Sequence, residues 1–98
     1  MNVHIHLAVG EVKIDDVVTG ETADDIVATV RDRTAAKAGF LVGAMIRRMT
    51  PLDFAREATR RYNAAANQND PLPESCDEFL NQAVAKGLAT IESEDETA

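Results

Sequence analysis

Hydrophobic and polar residues alternate at the start of the chain. The residues between the apolar positions are polar or small, and the apolar positions are Val3, Ile5, Leu7 and Val9. Because successive side chains of a strand point to opposite faces, this period of two predicts a half-buried strand. Gly10-Glu11 follows, with glycine first as a two-residue type II′ loop requires, so we expect a β-hairpin to open the fold.

The second strand of this hairpin carries a polar residue on its apolar face. With a two-residue loop, Asp15 lies opposite His6, and Asp16 lies opposite Ile5. Asp16 therefore interrupts the apolar face of the hairpin. We expect a bulge near Asp15-Asp16 that turns Val17 inward.

Apolar residues then recur every three or four positions, which predicts helices. The first helix begins after a capping box at Thr22, with Asp25 in place of the usual Glu or Gln, and its periodicity runs from Ala23 to Met49. Interior glycines cost about 1 kcal/mol each relative to alanine. The pattern therefore leaves open whether this helix is continuous or broken near Gly39.

Two more helices and a strand complete the predicted fold. Thr50-Pro51 supplies an N-cap and a first-turn proline for a helix that reaches about Asn67. A regular capping box at residues 75–78 begins a helix that ends at Gly87, and residues 88–91 are apolar with a β-branched end. The predicted class is α+β: an N-terminal β-hairpin, three to four helices on one face, and a short C-terminal strand completing a three-stranded, mainly antiparallel sheet. The hairpin and first helix resemble the start of a β-grasp domain, but the later helices depart from that fold, so we assign no family.

Length and composition restrict the class of protein. A chain of 98 residues forms one domain, which we place at residues 1–91, and residues 92–98 are charged enough to predict a disordered acidic tail. Cys76 is the single cysteine, so no internal disulfide is possible. No secretory signal is apparent, and the longest apolar run is far shorter than the roughly 20 residues that cross a bilayer. We expect a cytoplasmic protein without a membrane partner.

Enzymatic chemistry has little support in the sequence. Cys76 begins a helix, whose dipole favours the thiolate, but Asp77 and Glu78 beside it oppose that effect. No glycine-rich nucleotide loop or nucleophile elbow is present. We therefore predict no enzyme activity, and assign no catalytic residue and no cofactor.

His4 and His6 share one strand face, with Asp15 opposite His6. Two imidazoles placed in this way can bind one metal ion, with Asp15 as a third ligand. An exposed polar face with a His6–Asp15 contact explains the same residues, and we favour that interpretation. We accordingly assign no metal ligand, and a metal-dependent activity at His4 and His6 stays a third hypothesis.

Ala35, Gly39 and Gly43 recur every four residues and would form a strip of small residues along one helix. Apolar side chains cover nearly the whole circumference around this strip, which indicates a helix buried on all sides. Two interpretations stay open. The helix is the centre of the core, or a second copy of the chain covers it, as happens for small domains whose cores are incomplete. The surrounding apolar residues are Phe40, Leu41, Val42, Met45 and Ile46.

Charge is distributed unevenly along the chain. Residues 1–36 have a net charge of −4, residues 37–69 of +4 and residues 70–98 of −7. The basic middle segment contains an arginine cluster that could contact phosphates: Arg47, Arg48, Arg56, Arg60 and Arg61. We favour a solvated face with ion pairs to Asp53, Glu57 or the acidic tail.

These patterns predict a small non-enzymatic protein-interaction module that forms a homodimer. The alternative is a nucleic-acid-associated regulator that uses the arginine cluster. The sequence identifies neither the partner nor the biological process. The candidate interaction surface consists of Gly39, Phe40, Gly43, Arg47, Arg48, Arg56, Arg60 and Arg61.

Overall fold

Two strands, four helices and a third strand follow one another in a computed structural model that describes residues 1–9 and 12–92. The predicted α+β fold is confirmed. The predicted turn at Gly10-Glu11 lies outside the described residues, as does the predicted acidic tail apart from Glu92. The strands are β1 (Asn2–Val9), β2 (Val12–Thr19) and β3 (Ala89–Glu92), and the helices are α1 (Ala23–Lys37), α2 (Phe40–Arg47), α3 (Pro51–Ala66) and α4 (Cys76–Ala85).

The three strands form an antiparallel sheet in the order β2-β1-β3. The β1–β2 register is continuous and pairs Ile5 with Asp16, so the predicted bulge near Asp15-Asp16 is wrong. Val17 stays on the outer face and is exposed. Asp16 needs no bulge because β2 is an edge strand, where its carboxylate remains partly exposed and lies 3.4 Å from the guanidinium of Arg33 in α1.

All four helices lie on one side of this sheet. Apolar side chains from β1 and β2 pack against α1, α3 and α4 in a single core, which removes apolar surface from water. The opposite face of the sheet has no helix over it among the described residues, and it carries His4 and His6 of β1 and Asp15 of β2. The largest fully buried core side chains are Val3, Ile14, Val18, Ile26, Val27 and Val30.

The predicted helix starts are confirmed by their caps. Thr22 forms a complete capping box with Asp25, and its hydroxyl accepts from the Asp25 N–H at 3.2 Å. Thr50 caps α3, and Ser75 caps α4 by accepting from the Glu78 N–H at 3.0 Å. The first turn of a helix has backbone N–H groups with no acceptor inside the helix, and each of these bonds supplies one with an acceptor.

The apolar stretch from Ala23 to Met49 is broken at Gly39, which settles the question that the periodicity left open. Gly39 has a φ of 92°, a backbone conformation that favours glycine, and the chain turns there between α1 and α2. Ala35, Gly39 and Gly43 are therefore not a strip on one helix. Within the described ranges, no helix is both long and apolar enough to cross a bilayer.

Candidate interaction surface

Helix α2 directs most of its large apolar side chains to solvent. Phe40 is 88% exposed, Leu41 76%, Val42 52% and Met45 65%. We call these four residues the α2 apolar surface. Because residues 1–9 and 12–92 do not bury these side chains, the interpretation of this segment as the central core helix is wrong. Leu41, Val42 and Met45 were not among the predicted surface residues, although the lack of a polar face on this segment had indicated that its apolar side chains need a cover.

Close packing against α1 holds α2 in this orientation. A Cβ atom added to Gly43 would lie 2.5 Å from the backbone oxygen of Ala35, so only glycine allows the two helices to approach this closely. Ile46 and Met49 pack against the core, and the Arg31 guanidinium donates to the Met49 carbonyl at 2.9 Å. Ala35 and Gly43 thus bring α1 and α2 together within the chain, and the large apolar side chains of α2 face outward.

Arg47 and Arg48 lie at the C-terminal end of α2, beside the α2 apolar surface. Both side chains are exposed, and neither makes an ion pair with another described residue. A cation at a helix C-terminus interacts favourably with the helix dipole. These two charges therefore form a basic rim at one end of the apolar surface.

The other three arginines of the predicted cluster have partners within the chain. The Arg56 guanidinium donates to the Pro73 carbonyl at 2.9 Å, in a partly buried contact. Arg60 and Arg61 each lie 3.1 Å from a carboxylate oxygen of Glu57. The predicted ion pairing to Glu57 is confirmed. The cluster is thus divided between a basic rim on α2 and paired side chains on α3.

Cys76 is buried at the start of α4. Burial raises the pKa of its thiol to about 12, and a hydrogen bond with Asp24 together with the charges of Asp24 and Asp77 acts in the same direction. These effects outweigh the helix dipole, which favours the thiolate. A protonated, buried thiol is a poor nucleophile.

His4, His6 and Asp15 form a polar cluster on the sheet face that no described helix covers. His4 Nε2 is 2.8 Å and His6 Nδ1 is 3.1 Å from the same oxygen, Oδ1 of Asp15, and the two ring centroids are 3.9 Å apart. The His6–Asp15 contact agrees with the predicted register. The shorter His4 contact is diagonal across the strands, so pairing alone did not indicate it. The hydrogen bond from His4 lowers the pKa of Asp15.

Comparisons of the chain with protein-family models, with curated proteins and with solved structures find no match.

Proposed function

We propose that this chain is a small, non-enzymatic protein-interaction module that forms a homodimer through the α2 apolar surface. The observation that carries the proposal is the exposure of four large apolar side chains, between 52% and 88%, on one eight-residue helix. Together they present on the order of 400–500 Å² of apolar area, within the 300–600 Å² that the largest and often functional patches of monomers cover.

A second copy of the chain is the occupant that the size of this surface favours. A standard interface buries about 800 Å² on each partner, and weaker associations bury less. The α2 apolar surface supplies roughly half of that area, and its flanking residues would add to it. A domain within a chain of 98 residues also has a small core, so covering this surface would stabilise the fold itself. We therefore expect a weak, concentration-dependent dimer.

Charge favours an antiparallel arrangement of the two α2 helices. In a two-fold symmetric dimer the same residues meet from both sides, so unpaired cations must be kept apart. Antiparallel packing places the Arg47-Arg48 rims at opposite ends of the helix pair, roughly 12 Å apart for eight residues. Phe40 of one protomer then lies near the C-terminal half of the other helix, close to Met45.

The free edge of β2 is a less suitable route to self-association. The Arg33 guanidinium donates to the Val17 carbonyl at 3.4 Å, and the Lys37 ammonium donates to the Lys13 carbonyl at 3.1 Å. Long charged side chains along an edge strand oppose pairing with a second strand. Both cations come from α1, one helical turn apart. This supports α2 over the sheet edge as the contact surface.

The nucleic-acid alternative has less support. Phosphate binding needs several free cations on one surface. Arg56, Arg60 and Arg61 make the contacts within the chain described above, which leaves Arg47 and Arg48 as the members of the cluster that form no ion pair with a described residue. The buried, protonated thiol of Cys76 likewise supports a non-enzymatic role.

The molar mass in solution, measured by light scattering over a range of concentrations, tests the proposal. We expect the wild-type mass to rise from that of the monomer towards twice that value. Val42→Glu places a charge within the apolar surface and should keep the protein monomeric. Val84→Glu is the matched control, because Val84 is also exposed, at 40%, but lies on α4; its mass should rise as in the wild type. A monomeric wild type at all concentrations, or equal behaviour of the two variants, would contradict the proposal.

A further inference from the structure

The cluster on the open face of the sheet has the composition of a transition-metal site. We propose that His4, His6 and Asp15 bind one divalent metal ion of the class to which Zn²⁺, Ni²⁺ and Cu²⁺ belong. Two imidazole nitrogens and one carboxylate oxygen are ligands that Zn²⁺, Ni²⁺ and Cu²⁺ accept, whereas Mg²⁺ and Ca²⁺ require oxygen ligands. The proposal is independent of dimerisation, since α2 lies in the helical layer on the other side of the sheet.

The distances from the two imidazole nitrogens to the Asp15 oxygen are close to those that a metal would impose. Bonds of 2.0–2.1 Å in tetrahedral geometry place neighbouring donors roughly 3.3 Å apart. The two nitrogen–oxygen distances here are 2.8 Å and 3.1 Å. All three donors lie within 4.8 Å of one another. The two nitrogen–oxygen distances would therefore have to change by only a few tenths of an ångström, and the two imidazoles would have to place their donor nitrogens roughly 3.3 Å apart around the ion.

The strands hold the two histidines on one face. His4 and His6 are two positions apart on β1, the central strand, which pairs with β2 on one side and with β3 on the other. His4 is paired with Val17 and with Thr90, neither of which brings a competing charge. Asp15 is thus the anionic ligand. It comes from the adjacent strand, so the ligand geometry depends on sheet register rather than on a loop.

The hydrogen atoms at the site do not prevent metal binding. An ionised carboxylate is an acceptor only, so the hydrogen bond between His4 Nε2 and Asp15 requires a proton on that nitrogen. A neutral imidazole can move that proton to its other ring nitrogen, which frees the inward lone pair for the metal. The side chains are between one third and three quarters exposed, so an ion has direct access and water can complete its coordination.

Zn²⁺ titration by calorimetry, with Mg²⁺ as a comparison, tests the site on the full chain. We expect one Zn²⁺ per chain and no detectable heat with Mg²⁺. Asp15→Asn keeps the shape of the side chain and should weaken Zn²⁺ binding about tenfold or more. Asp16→Asn is the matched control: it is the same substitution one residue away, on the opposite face, and should leave the affinity unchanged. His6→Ala should abolish binding.

Nuclear magnetic resonance spectra of the histidine ring protons give a second measurement that is independent of calorimetry. One equivalent of Zn²⁺ should shift the ring signals of both His4 and His6. The proposal is overturned if no binding occurs, if Asp15→Asn and Asp16→Asn bind equally well, or if the ring signals stay in place while Zn²⁺ binds elsewhere.

Discussion

Cys76 shows how a residue's neighbours in the fold decide its chemistry. The sequence places it at a helix start, with acidic residues directly after it. The structure adds burial and a hydrogen bond that the thiol donates to a distant carboxylate, Asp24 in α1. Burial and nearby carboxylates both disfavour the thiolate, so the thiol stays protonated in the folded protein. The local pattern indicated part of this effect, and the contact with α1 supplied the rest.

The raised pKa of Cys76 predicts how its contribution to stability depends on pH. In the unfolded chain the thiol ionises near its ordinary pKa of 9.0, whereas in the folded chain it ionises near 12. The thiol's contribution is therefore complete below pH 9.0 and is lost progressively as the pH rises towards 12. We expect the free energy of unfolding of the wild type, relative to Cys76→Ala, to fall above pH 9.0.

Urea unfolding of the two proteins on either side of pH 9.0 measures this difference. Titration of the remaining groups is common to both proteins and cancels. A difference that stays constant with pH would contradict the burial of the thiol, as would rapid reaction of the native protein with a thiol reagent below pH 9.0.

The corner between α1 and α2 determines which side chains of α2 face solvent. Gly39 allows the turn, and Gly43 allows α2 to lie directly on the backbone of α1. Without this close approach α2 would have to move away from α1, and Ile46 would lose its packing against the core. The exposed apolar surface is therefore a consequence of how two glycines are used within the chain.

Gly43→Ala tests this packing. The added methyl group would lie 2.5 Å from the Ala35 oxygen, a backbone atom that cannot move aside as a flexible side chain would. We expect the free energy of unfolding to fall by about 1–3 kcal/mol, as is typical of overpacking. Ala44→Gly, at the exposed neighbouring position, is the control and should cost only about 1 kcal/mol of helix propensity. If urea unfolding shows that Gly43→Ala is as stable as the wild type or more stable, the α1–α2 contact is contradicted.

The helix starts and the hairpin register were predicted correctly, because each depends on residues that are close together in the sequence. The caps at Thr22, Thr50 and Ser75 mark helix starts because the side chain and the backbone donor it pairs lie within one turn. The register that places Asp15 opposite His6 followed from a two-residue loop. These features depend on residues close together in the sequence or on the fixed geometry of a hairpin.

Features that depend on distant residues were not predictable in the same way. The expected bulge is absent because β2 is an edge strand, where Asp16 stays partly exposed beside Arg33 from the following helix. Periodicity continued through Gly39, so only its φ of 92° revealed the break between α1 and α2. The exposure of Phe40 likewise depends on which side of α2 meets α1. Hydrophobic pattern indicates that a face should be covered, but it does not indicate by what.

At the scale of the whole molecule, the two proposed surfaces are separate. The α2 apolar surface belongs to the helical layer, and the cluster of His4, His6 and Asp15 belongs to the sheet face that the described helices leave open. A dimer formed through α2 would leave the sheet face accessible. The two proposals can therefore succeed or fail independently, and a variant in one should not affect the other.

The central claim, that the chain pairs with itself through antiparallel α2 helices, is tested most directly by contacts between protomers. In a mixture of isotope-labelled and unlabelled protein, filtered nuclear Overhauser spectra report only protons from different chains. We predict contacts from the Met45 methyl group of one protomer to the Phe40 ring of its partner. Pairing through α2 is contradicted if no contacts between chains appear under conditions where the mass shows a dimer, or if the contacts come only from sheet residues such as Val17.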